Sequence, residues 1–86
     1  GTVEAPIVLI DKMNYEIEKI LSKKNNKGGV YLNVHPFIAA YLTKGLNSIR
    51  FRWFLKHKKW IHIIPRDAYT YLHYRFKNKQ GKTIRL

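Results

Sequence analysis

The chain has no cysteine, which excludes disulfides and thiolate metal sites. Acid is nearly as scarce. Glu4, Asp11, Glu16, Glu18 and Asp67 are the five carboxylate side chains in 86 residues, against 17 Lys and Arg. Metal-assisted phosphoryl chemistry needs several carboxylates converging on the ions. A single acid after Glu18 does not supply them, so this chain alone is not expected to be an enzyme. No apolar run reaches the roughly 18–20 residues that cross a bilayer. Ala5–Ile10, APIVLI, is too short and follows no basic stretch, so it is not a signal peptide. Lys24–Gly29, KNNKGG, has glycines but neither the spacing nor the following helix of a phosphate loop. It reads as a flexible connector. The four histidines, His35, His57, His62 and His73, form no ligand pair on a shared helical face. His57 and His62 straddle Lys58 and Lys59, and two cations beside a metal ligand are unfavourable. No metal and no cofactor is expected in this chain. His62 and His73 read as half-exposed strand residues, neighbours if their strands pair. The expectation is a soluble cytoplasmic protein with no membrane partner, and Gly1 is readable as a cloning remnant.

An apolar fraction of 45% and an aromatic fraction of 14% are enough for a globule and argue against a disordered basic tail. Residues 1–86 read as one domain. A chain this short buries roughly 60–65% of its unfolded surface, so the core is small. The net charge is +12 and the pI about 10.2. That imbalance opposes compaction and favours a polyanionic partner, nucleic acid first. A basic module neutralised by the rest of a larger protein stands beside that reading, and an acidic membrane surface comes third.

Residues 1–11 read as an extended lead-in with a short β-like run at Ile7–Ile10. Asp11 is a candidate N-cap. Met13, Ile17, Ile20 and Leu21 then make one helical stripe over about 12–23. Acids in its first half and Lys23 and Lys24 at its end complement the helix dipole. Val30–His35 alternates as a half-buried strand. Pro36 suits the first turn of a helix over about 36–44, and Gly45 suits its stop. Trp60–Ile64 is a strand ended by Pro65. Pro65–Ala68 is a turn or a single helical turn, Thr70–Phe76 a second alternating strand, and Asn78–Gly81 a turn before a short edge strand at Lys82–Arg85.

Ile49–Trp60, IRFRWFLKHKKW, puts six large apolar residues and five fixed cations into one acid-free stretch. Cations bind phosphate and release counterions. Aromatic rings stack unpaired bases, the usual way single-stranded RNA is held. The candidate RNA-binding residues are Lys44, Arg50, Arg52, Lys56, Lys58, Lys59, Arg66, Trp60 and Tyr71. Trp53 and Phe54 are nearby rings. The plain alternative is that Trp53, Trp60, Phe51 and Phe76 are simply core. Alternation of Ile49, Phe51 and Trp53 favours a strand here, whereas Ser48 offers a helix cap.

VHPFIAAYLTKG and WFLKHKKWIHIIPRDAYTYLHYRF, within Val34–Phe76, resemble the small domain that ends the catalytic half of the ribonuclease E/G family. The matching features are the strand ending at Val34–Pro36, the helix with Tyr41-Leu42, the basic segment Arg50–Lys59, the strand Ile61–Pro65 and the pair His73-Tyr74. The likeness covers about half the chain well, and extends more weakly to APIVLIDKMNYEIEKIL. It implies a domain excised from a larger, Mg-dependent endoribonuclease of RNA processing and decay. Its magnesium-holding aspartates and its zinc-sharing cysteines lie elsewhere in the parent, and no catalytic, 5′-phosphate or zinc residue carries over. It implies a role in oligomer assembly, with other protomers or domains of the parent as partners. It also implies the order β-α-α-β-β, which makes Ser48–His57 helical against the alternation. A KH-type clamp is not supported, because KGLN at Lys44–Asn47 has only the first glycine of GxxG.

The expected fold is α+β, with two or three helices on one face of an antiparallel sheet built from about 30–35, 60–64 and 70–77. The expected core is Ile17, Ile20, Leu21, Val30, Leu32, Val34, Ile38, Leu42, Ile49, Trp53, Ile61, Ile63, Leu72 and Tyr74. The expected function is a non-catalytic small domain of a ribonuclease E/G-like endoribonuclease, aiding assembly and offering a basic RNA-facing surface. The alternative is an independent single-stranded RNA-binding module. The carboxylate count disfavours a self-sufficient nuclease.

Overall fold

A computed structural model describes residues 5–22 and 29–85; the side chains of residues 5 and 6 are outside it. The elements are helix α1 (Ala5–Ser22), strand β1 (Val30–Val34), helix α2 (Pro36–Thr43), helix α3 (Ile49–His57), strand β2 (Ile61–Pro65) and strand β3 (Tyr74–Lys77). The α+β class and the helical reading of Ser48–His57 both hold.

Helix α1 starts earlier than the sequence suggests. Residues 5–11 are helical, not an extended lead-in, and Asp11 lies exposed inside the helix rather than capping it. The reason is the stripe. Leu9 stands four residues before Met13, so Leu9, Met13, Ile17 and Ile20 form one continuous buried face. Pro6 falls in the first turn, where a missing N–H costs nothing. The proposed cationic end at Lys23 and Lys24 and most of the KNNKGG connector lie outside the described residues.

The short helices are set by their caps. His35 accepts the Phe37 N–H through Nδ1 at 3.0 Å, with Pro36 in the first turn of α2. Ser48 Oγ accepts the Phe51 N–H at 3.1 Å and is itself buried. That cap decides the ambiguous stretch in favour of helix. Gly45 adopts φ +81 just past α2, with nothing near a would-be Cβ, so glycine is needed there for the backbone alone.

The sheet order is β2-β1-β3. β1 pairs with β2 in parallel, Val30 opposite Ile61 and Leu32 opposite Ile63. β1 pairs with β3 antiparallel, Leu32 opposite Phe76 and Val34 opposite Tyr74. The sheet is therefore mixed, not antiparallel. Two helices between β1 and β2 carry the chain back to the starting end, so β2 must re-enter in the direction of β1. β3 is also shorter than expected. Thr70–His73 is a turn, closed by the His73 N–H donating to Thr70 O at 3.1 Å. Those residues carry the chain past the end of β1, which stops at Val34 and leaves them no ladder partner. Leu72 is accordingly exposed rather than core. The Asn78–Gly81 turn forms, with Gly81 N–H on Asn78 O at 3.0 Å, and the expected edge strand is a single bridge, Lys77 to Thr83.

One sheet face, with Val30, Leu32, Val34, Ile61 and Phe76, packs into a single core with Leu9, Met13, Ile17 and Ile20 of α1, Ile38 and Leu42 of α2 and Trp53 of α3. Leu21, Ile49, Ile63 and Tyr74 line its margin half-buried. Side-chain bonds grip α1 from both sides. The Trp53 indole N–H donates to Asn14, and the Tyr74 hydroxyl donates to Glu16. All three helices thus share one side of the sheet.

Candidate nucleic-acid interface

Helix α3 turns Trp53 inward, where only 4% of it is exposed, so this ring is core. Its neighbours go the other way. Phe51, Phe54 and Trp60 are 37–40% exposed and form a run of rings on the outside. Phe54 meets Trp60 edge-on at 5.7 Å and Phe51 at 6.4 Å. The Arg50 guanidinium lies over the Trp60 indole, 4.5 Å from its centre. Its buried Nε has no hydrogen-bond acceptor. The π cloud beneath the cation offsets part of that loss. The result is a ridge of three part-open rings with a fixed cation.

Lys58 ends α3 in the left-handed conformation, φ 58, with its N–H donating to Phe54 O at 2.7 Å. Glycine is the residue that costs least at such a position. A lysine there trades backbone strain for a positive charge beside the ridge. Lys59 borders a shallow recess between the ends of α1 and α3. Lys56 is engaged, its ammonium 2.7 Å from Glu18. The Lys56 hydrogen bond and charge hold the Glu18 carboxyl below its ordinary range. Arg52 borders a different feature, a cleft of about 390 Å³ between α1 and α3 that Ile7, Asp11, Asn14, Tyr41 and Trp53 also line. Lys44 stands apart at the end of α2.

Arg66 and Tyr71 lie at the far end of the sheet. Tyr71 packs against Phe37 and His35, at 5.5 and 5.9 Å, and so takes part in the fold. Arg66 follows β2, its backbone N–H donating to Val34 O at 2.7 Å. Its Nε donates to Asn33 Oδ1, also at 2.7 Å. The nine sequence candidates therefore do not form one site. Arg50, Lys58 and Trp60 belong to the ridge, with Lys59 and the paired Lys56 at its border. Arg52 lines the cleft, Lys44 is isolated, and Arg66 and Tyr71 lie elsewhere.

Sequence reasoning missed a second surface. The sheet face opposite the helices carries Tyr31 and Asn33 of β1, His62 and Ile64 of β2, and Arg75 and Lys77 of β3, by strict alternation within the observed registers. Tyr31 and His62 stack, 4.5 Å between centres and 13° from parallel. The pairing of His62 with His73 does not occur, because β1 lies between β2 and β3; His73 stacks on Tyr69 instead. The alternation of VYLNVH did place Tyr31 and Asn33 on one face. The missing information was which strand stood beside them.

The acids sort the surfaces. Asp11, Glu16 and Glu18 all lie on α1, and Asp67 is the one other acid among the described residues. Among those residues no group of three or more His, Asp or Glu side chains is placed to hold a metal ion, and no helix is long and apolar enough to cross a membrane. No protein-family model matches the chain, and neither a curated protein nor a solved structure matches it.

Proposed function

We propose that this chain is a non-catalytic small domain of a ribonuclease E/G-like endoribonuclease, holding RNA on a basic, ring-bearing surface and packing against other parts or copies of its parent. The observation that carries the RNA side is the segregation of charge. Three of the four described acids lie on α1, whereas Arg50 lies over part-exposed Trp60, and Lys58 and Lys59 directly precede that ring at the exit of α3. Cations next to part-exposed rings suit the phosphates and unpaired bases of a single strand.

The assembly side is supported by apolar side chains that the fold leaves outside. Ile7 and Val8 of α1 are 59% and 66% exposed, and Ile7 borders the cleft beside Tyr41. An apolar rim of this kind fits a protein neighbour. The ribonuclease parent itself rests on the motifs of Val34–Phe76, which fall in the element order the resemblance implies.

The parent is tested genetically. The native reading frame is expected to continue upstream into a carboxylate-bearing nuclease domain, and removing this segment should lower the parent's oligomeric mass and RNA affinity. A reading frame with no such domain would refute the ribonuclease assignment and leave an independent RNA-binding module as the reading to test.

A further inference from the structure

The helix-free sheet face has the parts of an RNA site that the α3 ridge lacks. Its rings are already stacked, Tyr31 on His62. Both are half-buried, so each keeps some exposed surface beside the close approach of Gly29. Its three cations come from two places, β3 and the end of β2. Lys77 stands opposite Tyr31 and Arg75 opposite Asn33 in the β1–β3 register, and Arg66 reaches in from the end of β2.

Arg66 is held by an uncommon partner. Asn33 is only 1% exposed, yet it sits on the face without helices. Its Nδ2 donates to Tyr31 O at 3.3 Å, and its Oδ1 accepts from Arg66 Nε at 2.7 Å. A buried amide thus fixes one end of an exposed guanidinium and leaves the Nη groups, without a hydrogen-bond partner among the described residues, to face a ligand. Orienting an arginine beforehand removes an entropy cost that binding would otherwise carry. Asp67, next in the chain, is exposed and is the one acid of this region among the described residues.

We propose that this face binds single-stranded RNA, with an unpaired base extending the Tyr31–His62 stack and a phosphate taken by Arg66, which Asn33 positions. The occupant follows from the chemistry of the face. Stacked rings accept any base, the cations accept backbone phosphate, and a duplex would hide its bases from the rings. The proposal rests on the RNA-facing reading above and adds a second contact to it. His62 follows Trp60 by two positions along an extended strand, about 7 Å. A single strand can therefore pass from the ridge around the β2 edge onto the sheet.

The test uses the unaltered chain, titrated with oligouridine in low salt and followed by amide and ring NMR shifts. Shifts at Tyr31, His62, Arg66 and Arg75 are expected. Arg66→Ala, at an exposed site, should keep the fold spectrum, weaken binding and reduce the magnitude of the salt slope by about one. Asn33→Ala should weaken binding less than Arg66→Ala does and have no effect in the Arg66→Ala background, which a merely structural role would not produce. Binding with shifts confined to Arg50–Trp60 would overturn this site while leaving the RNA reading intact. No binding in low salt would overturn both.

Discussion

The indole N–H of Trp53 donates to the side-chain carbonyl of Asn14, tying α3 to α1 across 39 positions of sequence. The Trp53 ring is buried, and its N–H meets Asn14 at the edge of the cleft between α1 and α3. The bond keeps the long first helix over the core and leaves the opposite flank of α3 outside. It therefore separates the folding ring of this stretch from its outward-facing rings.

Asn14→Ala should leave that indole donor unsatisfied, at a cost of about 1–2 kcal/mol in urea unfolding. In a Trp53→Phe background, which has no donor, the same change should cost less than about 0.5 kcal/mol. Equal costs in the two backgrounds would mean that the bond contributes nothing.

Tyr74 reports the other grip on α1. Burial, then its hydrogen bond to the Glu16 carboxylate and that group's charge, push the Tyr74 hydroxyl above its ordinary range near 10. A group with a raised folded value contributes stability that is complete below its unfolded value and is lost as pH rises above it. The melting temperature should therefore fall more steeply between about pH 10 and 12 in the parent chain than in Tyr74→Phe. Parallel pH profiles would remove Tyr74 as the cause.

Lys58 carries a positive φ that glycine would carry more cheaply. Lys58→Gly should raise stability by about 0.5–1 kcal/mol and yet weaken RNA binding. A variant that is more stable and binds equally well would show that this charge has no part in the interface.

Val8 is an exposed apolar residue on α1. Val8→Glu should change stability by no more than about 0.5 kcal/mol and lower the sedimentation mass of any self-associated form. Unchanged mass in a chain that does self-associate would place the contact elsewhere.

Much of this fold was legible because local signals agreed. Pro36 and Gly45 bracketed α2, and the alternation of Val30, Leu32 and Val34 named a strand. Ser48 was the informative residue of the third helix, since a cap is a backbone commitment and alternation over five residues is not. APIVLI reads as extended because it is apolar without visible period until Leu9 is set against Met13. The parallel pairing of β1 with β2 was not legible, because partner choice depends on where α2 and α3 return the chain. The same gap hid the second surface. Tyr31 and His62 are 31 positions apart, and only the register brings their rings together. The ridge of Arg50 and Trp60 was legible because its members are close in sequence.

Both surfaces are proposed to bind single-stranded RNA. Fluorescence anisotropy of a labelled single strand, repeated from about 50 to 200 mM salt, tests it most directly. The account predicts sub-micromolar binding at the low end, with log K falling linearly against log salt by about 0.7 for each phosphate neutralised. No binding at about 50 mM salt, or affinity that does not change with salt, would contradict it.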